Sequence, residues 1–116
     1  MLESILIQNF ALIDMLRIKI EPGLTVITGE TGAGKSTFLK ALHLISGGRA
    51  HTSLIRTGTE ESKIEAKFNL KEDKQLSDLL RSLRIKDGKK IVITRVLRRG
   101  VKGKKSGAKN SALING

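Results

Sequence analysis

Apolar and polar residues alternate near the start of the chain, as they do in β-strands that keep one face in water. One such segment surrounds Ile5 and Ile7, and a second covers residues 16–20, where Arg17 and Lys19 separate three apolar residues. The two segments predict two half-buried strands. We expect these strands to pair with each other at the edge of a sheet.

The next part of the chain has the order strand, loop, helix. A Pro-Gly turn at 22–23 precedes a short apolar strand at 24–27, which leads directly into the sequence GETGAGKST at 29–37. From residue 35 to about residue 46, apolar residues recur at helical spacing, and Gly47-Gly48 supplies a stop signal for the helix. The sequence therefore predicts a glycine-rich loop held between a strand and a helix.

Further elements follow the first helix. Alternation over 63–70 predicts a strand, leucines at 76–83 predict a short amphipathic helix, and the Ile- and Val-rich segment 90–97 predicts another strand. A basic hairpin or loop at about 98–111 precedes a last short strand at 112–114. The final Asn-Gly dipeptide favours a turn, so we expect the sequence to be cut at the tip of a hairpin.

Composition indicates a single soluble domain or a piece of one. The chain has 116 residues, of which 39% are hydrophobic and 28% are charged, and it contains no cysteine. Disulfides and thiolate metal sites are therefore excluded. The N-terminus carries Glu3 rather than a basic segment before a long apolar run, and no apolar run approaches the roughly 20 residues that span a bilayer. These features predict a cytoplasmic protein.

The net charge of +11 is concentrated in one segment. Residues 1–80 carry ten basic and ten acidic residues, whereas residues 81–116 carry twelve basic residues and one acidic residue. Such a segment attracts polyanions, chiefly nucleic acid or an acidic membrane surface. The alternative is a solvated lysine-rich loop without a partner.

The sequence at 29–36 matches the P-loop pattern G-x-x-x-x-G-K-[ST]. Glycines let the backbone N–H groups curl around a phosphate at the positive end of a helix. Lys35 is predicted to contact the β- and γ-phosphates, Ser36 to ligate the Mg²⁺ that bridges them, and Thr37 to lie nearer the α-phosphate. The predicted nucleotide-binding residues are Gly29, Glu30, Thr31, Gly32, Ala33, Gly34, Lys35, Ser36 and Thr37. A glycine-rich turn that happens to precede a helix is the structural alternative.

Hydrolysis also needs a carboxylate for the metal and a group that positions water. No apolar strand after the P-loop ends in Asp or Glu, and the acidic residues at 60–61 and 72–73 lie in polar stretches. Asp14 follows an apolar run, but it precedes the P-loop and is expected in the turn between the first two strands. We therefore predict no catalytic residue in this chain.

The residues around the P-loop also carry a family resemblance. The run ILIQNFALID at 5–14, EPGLTVIT at 21–28, the P-loop itself, and GGRA at 47–50 closely resemble the N-terminus of the RecN family of DNA-repair ATPases. That family belongs to the SMC-like branch of the ABC ATPases, and the resemblance extends to residues 111–116. It implies an α/β P-loop NTPase fold of the ABC/SMC head type, with residues 1–116 as its N-terminal lobe. An antiparallel β-subdomain would pack against the P-loop strand and helix, and the central sheet would be incomplete.

The resemblance also implies partners and further site residues. ATP and Mg²⁺ would be sandwiched between two heads, and the C-terminal half of each head would supply the Walker B and signature motifs. Double-stranded DNA in the bacterial nucleoid would be the partner of the complete protein, which acts in double-strand break repair and recombination. Arg49 matches an arginine that SMC-like heads carry after the P-loop helix, with Arg56 a weaker candidate. The basic residues expected to meet DNA phosphates are Lys102, Lys104, Lys105 and Lys109.

Two other functions fit parts of this pattern. A self-contained P-loop kinase or GTPase would need a metal-binding carboxylate that the sequence does not reveal. A basic, non-catalytic nucleic-acid-binding module would bind DNA and have no affinity for nucleotide. If the chain is the N-terminal lobe that the resemblance implies, it lacks the signature motif. This fragment alone is then expected to bind nucleotide weakly and to turn it over little or not at all.

Overall fold

The computed structural model describes residues 1–28, 34–70, 73–86, 88–100 and 109–115. The strands are β1 Leu2–Phe10, β2 Ile13–Lys19, β3 Glu61–Asn69, β4 Lys90–Arg98 and β5 Lys109–Ile114. The helices are α1 Gly34–Ile45 and α2 Lys74–Ser82, and a 3₁₀ turn lies at Thr52–Leu54. The order of elements is therefore β1, β2, α1, β3, α2, β4 and β5.

The five strands found among the described residues belong to one antiparallel sheet with the order β2-β1-β3-β4-β5. The register aligns apolar residues across the strands: Ile5 lies opposite both Ile18 and Ala66, and Ile7 lies opposite both Leu16 and Ile64. Side chains alternate between the two faces of a strand, so this register places the apolar set on one face. This apolar face must be buried against another element.

Helix α1 covers the apolar face. Its buried residues Phe38, Ala41, Leu44 and Ile45 belong to the same cluster as the buried residues of β1 and β3. Burial of each large apolar side chain in this cluster contributes about 1.5 to 3 kcal/mol to stability. The contact between α1 and the sheet therefore fixes the helix that follows the P-loop.

The opposite face of the sheet is polar and carries ion pairs. The Lys63 ammonium lies 3.2 Å from the Glu65 carboxylate on β3. Near the start of β1, the Glu3 carboxylate receives the Lys90 ammonium at 3.1 Å and the Asn69 amide at 3.0 Å. The hydrogen bond from Lys90 is the main cause that lowers the pKa of Glu3 below its ordinary value of 4.5. These contacts pair opposite charges on the polar side of the sheet.

Most of the predicted elements are confirmed. Helix α1 ends at Ile45, and Gly47 has φ +96°, the left-handed conformation expected just after a helix. Helix α2 is amphipathic with Leu80 buried, and the Asp73 side chain accepts from the Leu76 N–H at 3.1 Å, an N-cap. The antiparallel subdomain with a helix on one face agrees with the predicted α/β class.

One predicted strand is wrong, and the bounds of one predicted loop differ. The segment 24–27 is not a strand: Leu24 and Val26 are 92% and 70% exposed. A strand needs a neighbour to satisfy its backbone groups, and none of the five described strands pairs with this segment. Strands β1 and β2 pair with each other at the edge of the described sheet, as predicted, and β1 also pairs with β3. The last strand begins at Lys109 and β4 ends at Arg98, so pairing shortens the predicted loop at 98–111, of which 101–108 lie outside the described residues.

Candidate nucleotide-binding site

The first turn of α1 brings together the described part of the predicted site. The helix begins at Gly34, and both Lys35 and Ser36 are exposed, whereas Thr37 is only 6% exposed. The N–H groups of a first turn have no partner within the helix and carry partial positive charge. The ammonium of Lys35 therefore lies where a phosphate would also meet the helix N-terminus. Predicted site residues 29–33 lie outside the described residues.

A cavity of about 550 Å³ adjoins this helix start. Its apolar wall includes Leu16, Ile18 and Phe38, and its polar side chains include Asp14 and Lys35. Both the volume and the mixture of apolar wall and few polar groups are typical of small-molecule sites. The first β-hairpin and the P-loop helix therefore border an open cavity that Lys35 also lines.

Asp14 lies elsewhere than the sequence predicts. It belongs to β2 and not to the turn, because the turn closes earlier, at Ala11 and Leu12. Its exposed carboxyl side chain lines the cavity that Lys35 also lines. The two residues are not ion-paired, since the Lys35 ammonium has no carboxylate within 4.0 Å among the described residues. As far as the described residues show, the charge of Lys35 is thus available to an anion.

The described side chains offer a place for phosphate but no separate metal centre. Within the residues that the structure describes, no group of three or more His, Asp or Glu side chains is close enough to hold a metal ion. Ser36 remains the predicted contact for a nucleotide-bound Mg²⁺, and its exposed position fits that role. The arrangement is suited to binding a phosphate chain.

The C-terminal end of α1 is held by the predicted Gly47-Gly48 stop signal and by Arg95, for which the sequence predicted no role. The Gly48 N–H donates to the His43 carbonyl at 2.9 Å and the Gly47 N–H donates to the Leu44 carbonyl at 3.1 Å. The guanidinium of Arg95, which is 7% exposed, donates to the Leu44 carbonyl at 2.9 Å. The only sequence signal for this contact is one basic residue inside the apolar run of β4.

Of the further predicted basic residues, the structure describes Arg49, Arg56 and Lys109. Arg49 is exposed and follows the C-terminus of α1, at the far end of a helix about 18 Å long. The Arg56 guanidinium donates to the Leu12 carbonyl at 3.0 Å and thereby braces the first hairpin. Lys109 is exposed at the start of β5, whereas Lys102, Lys104 and Lys105 lie outside the described residues. The role of Arg49 stays a prediction.

Comparison with known proteins supports the P-loop interpretation. The family model of the AAA domain matches residues 4–116. The chain is 36% identical over 116 residues to DNA repair protein RecN of Vibrio cholerae, covering 100% of this chain and 20% of that protein. It is 51% identical over 69 residues to DNA repair protein RecN of Synechocystis, covering 60% of this chain and 12% of that protein. The chain therefore spans only a small part of the length of these relatives.

Solved structures of ATPase heads share the fold. A structure described for ATP-driven dimerization and DNA-stimulated activation of SMC ATPases has a TM-score of 0.73 at 22% identity, covering 99% of this chain and 69% of that one. The recombination mediator RecF with ATP has a TM-score of 0.68 at 19% identity, covering 99% of this chain and 26% of that one. These likenesses establish an SMC- and RecF-type head fold. By sequence, the chain belongs to the AAA domain family and matches the N-terminal part of DNA repair proteins named RecN.

Proposed function

We propose that this chain binds ATP with Mg²⁺ as the N-terminal lobe of an SMC-like ATPase head. The observation that carries the proposal is the P-loop sequence whose Lys35 and Ser36 lie, exposed, in the first turn of α1 beside a cavity of about 550 Å³. Lys35 would hold the β- and γ-phosphates, and Ser36 would contact the Mg²⁺ that bridges them. The apolar wall of the cavity would take less polar parts of the nucleotide. The binding set comprises Gly29, Glu30, Thr31, Gly32, Ala33, Gly34, Lys35, Ser36 and Thr37.

The complete protein would hydrolyse ATP in DNA double-strand break repair and recombination. Relatives named DNA repair protein RecN support the biological role, and the RecF structure with ATP supports the nucleotide. The remaining motifs would come from the C-terminal half of the head and from a second head. Apolar Leu24 and Val26, which are 92% and 70% exposed, are suitable for packing against that missing half.

DNA would be the partner of the complete protein, in the cytoplasm and at the nucleoid of a bacterium. Residues 81–116 supply the whole positive excess of the chain, and Lys109 is exposed at the start of β5. Lys102, Lys104 and Lys105 belong to the same basic segment. Contacts of this type are independent of DNA sequence and weaken as salt rises. None of the described helices is long and apolar enough to cross a membrane.

Titration of the chain with fluorescent ATP and Mg²⁺ tests this function, with phosphate release followed in parallel. Replacement Lys35→Ala removes a charged phosphate contact and is expected to weaken binding roughly tenfold or more. Lys40→Ala is the matched control, since Lys40 is an exposed lysine on the same helix, more than one turn from Lys35. It should bind ATP like the unchanged chain.

The parallel assay separates the competing functions. Binding that depends on Lys35 without phosphate release supports an incomplete head. Steady phosphate release by the chain would instead indicate a self-contained P-loop enzyme with an unrecognised catalytic carboxylate. DNA binding without any ATP affinity would indicate a basic nucleic-acid-binding module and would contradict the proposal.

A further inference from the structure

Arg95 is a buried cation whose hydrogen bonds go to the P-loop helix and to the neighbouring strand. One terminal nitrogen, Nη1, donates to the Leu44 carbonyl at 2.9 Å and to the Gly48 carbonyl at 3.3 Å. The other, Nη2, donates to the Asn110 side-chain oxygen at 3.0 Å. A single side chain of β4 thus joins the C-terminal end of α1 to the start of β5.

Within the described part of the chain, burial of this charge is compensated by dipoles and not by a carboxylate. Arg95 is 7% exposed, and no described Asp or Glu forms an ion pair with it. Its buried Nε atom has no hydrogen-bond partner among the described residues. Burying a charge is costly unless its environment compensates, and here the compensation comes from the carbonyl oxygens at the negative end of α1. The guanidinium and the helix end therefore stabilise each other.

The helix end that Arg95 holds belongs to the element that carries Lys35 and Ser36. Helix α1 has 12 residues, so its two ends are about 18 Å apart. A short helix moves largely as one body, and a change of tilt at its C-terminus displaces its N-terminus. On the N-terminal side the first three residues are exposed, and Gly34 and Lys35 border a cavity, so the packing of Phe38 and later residues sets the tilt.

We propose that Arg95 is a positioning residue for the nucleotide site, acting through α1. It sets the tilt of the P-loop helix by anchoring the Leu44 and Gly48 carbonyls to β4, and Asn110 fixes the guanidinium in that orientation. This proposal rests on the proposed ATP-binding function, because the quantity that it alters is the placement of Lys35. It also makes β5 part of the support of the nucleotide site, although β5 is the strand farthest from β2 and the cavity that β2 lines.

Three variants test the proposal. Arg95→Met removes the charge and all three hydrogen bonds at a similar side-chain length. Arg95→Lys keeps the charge near the helix end but has a single nitrogen for the same carbonyls. Arg98→Met is the matched control, because Arg98 lies on the same strand, is exposed, and pairs with Glu61. If circular dichroism shows that Arg95→Met is unfolded, the Asn110→Ala variant is used in its place. Asn110→Ala removes only the hydrogen bond that Arg95 Nη2 donates.

Two measurements are made at a temperature where each variant is folded. Hydrogen exchange at the amides of Phe38 and Leu39, without nucleotide, reports whether the start of α1 loosens. Titration with fluorescent ATP and Mg²⁺ reports the consequence for binding. We expect faster exchange at these amides and roughly 3- to 30-fold weaker ATP binding in Arg95→Met, partial recovery in Arg95→Lys, and no change in Arg98→Met.

Each outcome decides the matter. A folded Arg95→Met or Asn110→Ala variant that exchanges and binds ATP like the unchanged chain would overturn the proposal and leave Arg95 a purely stabilising residue. Equal losses in Arg95→Met and Arg95→Lys would likewise contradict a role for the charge at the helix end. If the unchanged chain fails to bind ATP, the proposed function is wrong, and the exchange rates still test the link between Arg95 and α1.

Discussion

Helix α1 buries one of two adjacent residues against the sheet and leaves the other exposed. Substitution of each residue therefore tests how the helix packs on the sheet. Phe38 is 3% exposed and belongs to the core cluster, whereas its neighbour Leu39 is 58% exposed. Truncation of a buried Phe to Ala costs about 3 to 5 kcal/mol. Because one side of Phe38 borders the open cavity, water can enter the space that truncation leaves, so we expect the lower end, about 3 kcal/mol.

This loss is large relative to the stability of the whole chain. A chain of 116 residues has an unfolding free energy of about 6 to 17 kcal/mol. For a domain of this size, 3 kcal/mol lowers Tm by about 10 to 18 °C. The Leu39→Ala control should change the unfolding free energy by less than about 0.5 kcal/mol, because the side chain is already largely in water.

Urea unfolding followed by circular dichroism measures both variants. Similar denaturant slopes for the variants and the unchanged chain would show that the comparison concerns stability alone. A Leu39→Ala variant destabilised as strongly as Phe38→Ala would refute the reasoning, since it would mean that α1 presents a different face to the sheet. A Phe38→Ala variant of unchanged stability would refute it as well.

Two other predictions follow from single contacts. A Cβ added at Gly48 would lie 2.6 Å from the His43 carbonyl oxygen and would also meet the His43 ring, so Gly48→Ala should destabilise the chain by about 1 to 3 kcal/mol in urea unfolding. Gly48→Ala combined with His43→Ala should recover little, because the carbonyl clash remains. The lowered pKa of Glu3 means that its contribution to stability is present above its ordinary pKa of 4.5 and is lost as pH falls through the folded value. The Tm difference between the unchanged chain and Glu3→Gln should therefore be largest near neutral pH and vanish in acid; a difference that grows in acid would contradict the assigned contacts with Lys90.

The local elements could be predicted because their signals are local. The P-loop pattern is a matter of spacing within eight residues, the start and end of α1 follow from apolar period and Gly47, and strand alternation marks β1 to β4. Lys35, Ser36 and Thr37 therefore fall at the start of α1 as their spacing requires. Each of these features depends on neighbours within a few positions along the chain.

Strand pairing and side-chain burial depend on residues that are distant in the sequence, and only the tertiary structure shows them. The sequence marked 24–27 as a strand, but a strand also needs a partner, and none of the described strands supplies one. Asp14 faces the cavity beside Lys35 because of where the first hairpin closes, and Arg95 is buried because β4 brings it beneath the end of α1. The sequence by itself determined the P-loop pattern and the helix that follows it. Strand pairing, burial and the anchoring of the P-loop helix came only from contacts between residues far apart in the chain, since alternation and helical period do not encode which segments meet.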